Sequence, residues 1–336
     1  MKRGVCDDHR YSRVVPDSPD MSPPSREFNE WREPSGLLLG ALENAIRAAD
    51  DALEDLSTAP LRREAVRTAR RELKSVRAIA PLCRVNTRAR SINAAVDGML
   101  EFSAKANQLL GPLRDRDALA RSIQRLADRF ADAESRRVVR TVLLATLVFA
   151  EADRRDDSTF AAAAIDRARR AIRAARTALE AHTLHVNANN LPRSDSFDAM
   201  HALALLGRTF MTARRELAAA LETGDLVRLH ECRKKAAFIA LALRPFDDSL
   251  PSAARRLRSR ARTLASTLGE DRDWALLDVE MRAARQRLDG SPLVVAIDGA
   301  LRLARIEAHA RVEDSARAFL RLSRKRVANA LAVAFE

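Results

Sequence analysis

Aromatic side chains make up only 4% of the 336 residues, with one tyrosine and two tryptophans, of which Trp31 lies near the N-terminus. That scarcity excludes an aromatic-lined interior and a surface that stacks nucleobases on several rings. Glycine (10) and proline (12) are also few for this length. No run alternates β-branched or aromatic residues with polar ones, so a strand-rich fold with its many turns is excluded too. Three cysteines, Cys6, Cys83 and Cys232, have no CxxC spacing; they offer neither a disulfide framework nor a zinc cluster and fit a reducing compartment. The longest apolar run, TVLLATLVFA at 141–150, is about half of what a membrane span needs. Asp7, Asp8 and Arg10 interrupt any secretory hydrophobic region after Met1. The expectation is a soluble cytoplasmic protein with no cofactor.

What remains is a helix-forming composition dominated by Ala, Leu and Arg, 47% hydrophobic, enough for one large core or two smaller ones. Charge is the other conspicuous feature. There are 59 Lys+Arg against 46 Asp+Glu, a net +13, with a pI near 10.8. Six of the 59 are lysine, which leaves 53 arginines. A GC-rich coding bias enriches Ala and Arg together, yet it does not explain an excess of cations over anions. A polyanionic partner does, and the planar guanidinium fork suits phosphate because it donates two parallel hydrogen bonds.

Residues 1–34 hold five of the twelve prolines, many serines and mixed charges, without a helical stripe; they are expected to be a disordered tail. From Ser35 onward helices follow one another. Breaks are expected at STAP (57–60), GP (111–112), NANNLPRSD (187–195), TGD (223–225), DDSLP (247–251), LGED (268–271) and GSP (290–292), each carrying helix-ending or capping residues. NANNLPRSD is the longest and divides the rest into halves, 35–190 and 191–336.

The halves repeat each other. Val66, Ala69, Leu73, Val76 and Ala80 form an apolar seam, and Leu229, Cys232, Ala236, Ile239 and Leu243 reproduce its spacing with a displacement of 163. Beside the first seam runs a basic stripe, Arg67, Arg70, Lys74 and Arg77. In the second half His230 and Arg233 match Arg67 and Arg70, and Lys234 matches Arg71. Each helix ends in a proline, Pro81 or Pro245, and each half later writes DRDxAL, as DRDALA at 115–120 and DRDWAL at 271–276. The sequence is a duplicated all-helical unit.

These residues resemble the CHAD family, named for conserved histidines in an α-helical domain. Its pattern is a His-x-x-Arg helix with further basic residues, then a Leu-Gly-x-x-Arg/His-Asp element, both recurring in a second half. LHECRKK (229–235) and LGEDRDWALL (268–277) are close matches; AVRTARRELKSVR (65–77) with LRDRDALA (113–120) is the first-half counterpart. The resemblance covers about Ser35 to the C-terminus. It implies an all-α fold of two four-helix-type bundles related by a pseudo-twofold axis, with a basic central groove. It further implies binding of inorganic polyphosphate and association with polyphosphate granules, without catalysis. Two departures are visible. Arg67 stands where the first half should carry its histidine, and Ala236 and Ala237 occupy the place of a further basic residue after Lys234.

The candidate polyphosphate-binding residues are therefore Arg67, Arg70, Arg71, Lys74, Arg77, Arg116, His230, Arg233, Lys234 and Arg272. A linear polyanion needs a row of cations, since its affinity comes from many charge-assisted contacts and counterion release. A basic stripe can equally be a solvated helix face; its recurrence beside an equivalent seam argues otherwise. Asp115 and Asp271, just before apolar runs, are expected to cap helices, with Asp117 and Asp273 orienting neighbouring arginines. No metal site is expected: His182 and His185 are three apart, but no carboxylate or cysteine partner is evident. Asp-x-Asp without an aromatic cavity does not suit metal-diphosphate chemistry, and the Glu-x-Glu-x-Lys motif of triphosphate tunnels is missing. Two other readings stay open. One is RNA, DNA or generic polyanion binding, against which stands the lack of a recognition-helix motif. The other is a scaffold that recruits a protein through the tail or the C-terminal helical segment, 293–335.

Overall fold

The structure, a computed structural model, describes residues 34–54, 59–85, 90–149, 157–188, 198–288 and 292–335. The expected tail up to residue 33, most of the NANNLPRSD linker, half of STAP and most of GSP lie outside these residues. Within them all regular structure is helical. In chain order the α-helices are α1 (Pro34–Asp51), α2 (Ala59–Ile79), α3 (Arg90–Leu109), α4 (Gly111–Ala127), α5 (Ala133–Leu143), α6 (Asp157–Ala188), α7 (Ala199–Thr223), α8 (Leu226–Ala242), α9 (Ser252–Leu288), α10 (Pro292–Leu320) and α11 (Arg324–Phe335). Short 3₁₀ turns follow α2 (Ala80–Cys83) and α8 (Arg244–Phe246), and Leu144–Phe149 winds as a π-helix after α5.

The apolar seams place α2 and α8 at the centre. Leu73, Val76, Cys232, Ala236, Ile239 and Leu243 are all fully buried, and the seams belong to one continuous core. Each leucine so buried stabilises the fold by about 2 kcal/mol. α2 and α8 pack on each other, α1 and α3 flank α2, and α7 and α9 flank α8. α1 also packs on the Arg244–Phe246 turn, while α7 packs on the Ala80–Cys83 turn. A smaller core, with Ile123, Leu126, Val139, Trp274, Leu277 and Leu301, joins α4 and α5 to the far ends of α9 and α10.

Local chemistry explains most boundaries. Pro81 and Pro245 sit in the first positions of their 3₁₀ turns, where a missing N–H costs nothing. The TGD break is a full punctuation mark: Gly224 takes φ 69° to end α7, and the Asp225 carboxylate accepts from the N–H groups of Val227 and Arg228 to start α8. Asp132 and Asp198 cap α5 and α7 in the same way.

Two expectations fail. LGED does not break the chain, because α9 runs through it from Ser252 to Leu288; its lone glycine is tolerated where Leu264, Leu268 and Trp274 keep the helix buried. Asp271 consequently sits mid-helix, and Asp115 lies a full turn inside α4, so neither caps anything. The C-terminal segment 293–335 is helical as expected, as two helices separated at 321–323.

Candidate anion-binding cavity

A cavity of about 720 Å³ opens among α2, α4, α7, α8 and α9. Its walls carry Arg70, Lys74 and Arg77 from α2, Arg114 from α4, Arg208 from α7, His230, Arg233, Lys234 and Lys235 from α8, and Arg272 from α9. Spacing explains the gathering. On α2 and on α8 the basic positions fall one and two turns apart next to the buried seam, so two helices held together by their seams bring their basic edges to one space.

Neighbouring backbone fixes the two deepest arginines. Arg70 is half-buried and donates through Nη1 to the carbonyl of Asn107 at the end of α3. A Cβ on Gly111 would stand 3.7 Å from that nitrogen. Arg233 lies equally close to Gly269, where a Cβ would come within 3.3 Å of its Nε. A side chain at position 269 would press on this guanidinium and shift it by a few tenths of an ångström.

The cations crowd one another. Burial, then Arg114, holds the Arg70 guanidinium below its ordinary value, and burial with Arg272 and Arg114 does the same to Arg233. Lys74 is pulled from 10.5 to about 8 by burial and by Arg70, Arg233, Arg114 and Arg77. Burial, then Lys234, Arg272 and Arg233, lower His230. Among the described residues no carboxylate forms an ion pair with Arg70, Lys74, Arg77, Arg233 or Arg272. The one carboxylate among the described lining residues is Glu231, which pairs with Lys234 at 2.7 Å. Arg114 is partly neutralised by Asp115 (2.8 Å) and Asp273 (3.7 Å). Asp115 acts on Arg70 and Asp273 on Arg233 only from a distance, so this open cavity gathers more positive charge than its neighbouring carboxylates offset.

Of the ten residues singled out in the sequence, Arg70, Lys74, Arg77, His230, Arg233, Lys234 and Arg272 line this cavity. Arg67 does not; it pairs with Glu64 at 2.8 Å and with Asp117 at 3.5 Å. Arg71 points away as well, to the buried Glu72 at 2.9 Å, which also holds Arg244 at 3.2 Å. The stripe spans too wide an arc for its outer members to face one space. The side chain of Arg116 lies outside the described residues. Asp117 and Asp273 do hold arginines, Arg121 and Arg67 for the first, Arg114 and Arg125 for the second. Sequence reasoning missed Arg114, one position before the DRD motif, Lys235 beside Lys234, and Arg208, which α7 contributes without any repeat to mark it.

Elsewhere, His182 is buried, with its Nδ1 unpartnered, and among the described residues no group of three or more His, Cys, Asp or Glu is placed to hold a metal. Cys83 and Cys232 are buried free thiols, each pushed up to about 12 by burial. No helix among the described residues is long and apolar enough to cross a membrane. Compared with models of known protein families, with curated proteins and with solved structures, the chain matches none of them.

Proposed function

We propose that the chain binds inorganic polyphosphate in this cavity without transforming it, as the CHAD-like motifs suggest, and that binding brings it to polyphosphate granules. The observation that carries the proposal is the convergence of Arg70, Lys74, Arg233 and Arg272 on one cavity with no ion-paired carboxylate. Cations placed so close oppose folding in the free protein; only an anion that reaches several of them together offsets that cost. Phosphate groups in a chain do this at short, regular intervals.

A pseudo-twofold arrangement of the two halves belongs to the same proposal. Support comes from reciprocal contacts: α1 of the first half packs on the second half's proline turn, and α7 of the second on the first half's. Arg70 rests near Gly111 and its counterpart Arg233 near Gly269, the glycines of matching Leu-Gly pairs at 110–111 and 268–269. In this view the cavity lies across the axis, where α2 meets α8.

The test is competition at fixed salt. Labelled long-chain polyphosphate bound to the full chain is challenged with unlabelled polyphosphate, RNA, DNA and pyrophosphate, compared per phosphate. Preferential displacement by polyphosphate is expected. Displacement by RNA or DNA with equal potency reduces the protein to a general polyanion binder.

A further inference from the structure

The cavity is not basic throughout: toward the C-terminal end of α8 its lining turns apolar. Displacement by 163 pairs Lys74 with Ala237, Ser75 with Phe238, Arg77 with Ala240 and Ala78 with Leu241. The first half therefore continues its cations for two further turns, whereas the second turns apolar after Lys235. Ala237, Phe238 and Leu241 line the cavity there, together with Ala78 and Ala265. A bare phosphate chain gains nothing from such a wall and loses hydration against it.

The α7 wall is also wrong for phosphate. Thr209 and Thr212 line it, and each spends its hydroxyl hydrogen on its own helix, Thr209 on the Leu205 carbonyl at 2.7 Å and Thr212 on the Arg208 carbonyl at 2.8 Å. What they offer to the cavity is lone pairs. Those repel phosphate oxygens and suit hydroxyl or amino hydrogens. Arg208 stands on the same helix with a flat guanidinium, which stacks on planar rings. The α7 wall and the C-terminal part of α8 thus present a phenyl ring, a leucine, two acceptor oxygens and a stacking cation, beside the phosphate donors of α2, α8 and α9.

We infer that the cavity takes a phosphate chain that ends in an organic group, a nucleoside oligophosphate, with its phosphates on Arg70, Lys74, Arg233 and Arg272 and its base and sugar against Phe238, Leu241, Thr209 and Thr212. This rests on the reading of the cavity as a phosphate site and narrows what occupies it. The base lies on the phenyl ring, and sugar hydroxyls donate to the threonine oxygens. A single ring serves one base, not a strand of them, which sets this ligand apart from single-stranded nucleic acid.

Calorimetry on the full chain decides it, at fixed salt and pH, with tripolyphosphate, ATP and GTP as ligands and adenosine as a phosphate-free control. Tripolyphosphate carries more charge than ATP, so a purely electrostatic site prefers it. The expected result is ATP or GTP binding about tenfold or more tightly than tripolyphosphate, the scale of one base on one ring. The paired variant Thr209→Val with Thr212→Val keeps shape and helix but removes the acceptors for the sugar, and should weaken the nucleotides several-fold while leaving tripolyphosphate unchanged. Ala237→Lys restores the cation that the first half has, and should tighten tripolyphosphate several-fold. Tripolyphosphate binding as well as or better than the nucleotides overturns the inference and leaves the polyphosphate proposal standing. A nucleotide advantage that the valine pair leaves undiminished overturns the placement of the organic group. No binding of any phosphate compound overturns both proposals.

Discussion

Replacing Lys74 by methionine should make the unliganded protein more stable while weakening the proposed binding of polyphosphate. Lys74 is held at about 8 against 10.5 for an ordinary lysine, which at about 1.4 kcal/mol per decade would amount to roughly 3 kcal/mol. Its side chain keeps solvent contact, so screening reduces the usable figure to about 1 kcal/mol. The sign follows from proton counts. Between about 8 and 10.5 the unfolded chain holds the proton and the folded chain has released it, so stability rises with pH across that window, and the full penalty is present below it. Methionine keeps the aliphatic stem and abolishes the charge. Urea unfolding at pH 7 should show the variant about 1 kcal/mol more stable, equivalent to about 2–4 °C in Tm. At pH 10 the difference should fall to about a quarter of that, because the folded wild-type lysine is then neutral while the unfolded one is still mostly charged. Polyphosphate affinity should fall at pH 7, with the dependence of log Kd on log salt flatter by about one. A Lys74→Met protein that is less stable at pH 7, or whose difference from wild type does not depend on pH, refutes the crowding of Lys74 by Arg70, Arg77, Arg114 and Arg233.

Other outcomes test neighbouring parts. Arg70→Gln and Arg233→Gln should each weaken polyphosphate binding and flatten the salt dependence by about one; both should also lose some stability, since these guanidinium groups pack on the ends of α3 and on Gly269 rather than lying on a free surface. Gly207→Ala, where a Cβ meets nothing within 4 Å, should stabilise by about 0.5–1 kcal/mol through helix propensity alone and leave affinity unchanged. Gly269→Ala should lose affinity, because its Cβ at 3.3 Å displaces Arg233; equal affinity in both variants would show that the guanidinium position is immaterial. Bound phosphate should raise His230 from its lowered value, so binding takes up a proton and tightens from pH 7 to pH 5.5, a trend that His230→Ala should flatten in a fluorescence titration. Glu72→Gln should cost about 1 kcal/mol in chemical unfolding by releasing Arg244, with no change in affinity.

Periodicity made the helices and their inward faces legible. The seam residues from Val66 to Leu243 reach the core because their spacing has no other solution, and the TGD and proline punctuation is local chemistry that tertiary contacts leave alone. LGED misled because a glycine inside a helix reads as a break when its neighbour is out of sight; only the approach of Arg233 explains it. Asp115 and Asp271 misled for a related reason: an aspartate before an apolar run is a cap only if the helix starts there, and burial of flanking residues had already carried each helix past it. For the cavity, the repeat identified α2 and α8 and the arginines on their shared edge. It could not divide a basic stripe into inward and outward members, which depends on where α4 lies: Arg67 turns to Asp117 on that helix while Arg70 turns inward. Arg208 carries no signal beyond its charge, since its placement depends on how α7 crosses α8.

The most direct test of the central claim is the salt dependence of polyphosphate affinity for wild type and for a variant with Lys74→Met, Arg233→Gln and Arg272→Gln together. Three phosphate contacts released should lower the slope of log Kobs against log salt by about two to three and weaken binding most at low salt, with helicity retained by circular dichroism. An unchanged slope in a folded triple variant would place the polyanion outside the cavity between α2 and α8 and contradict the account.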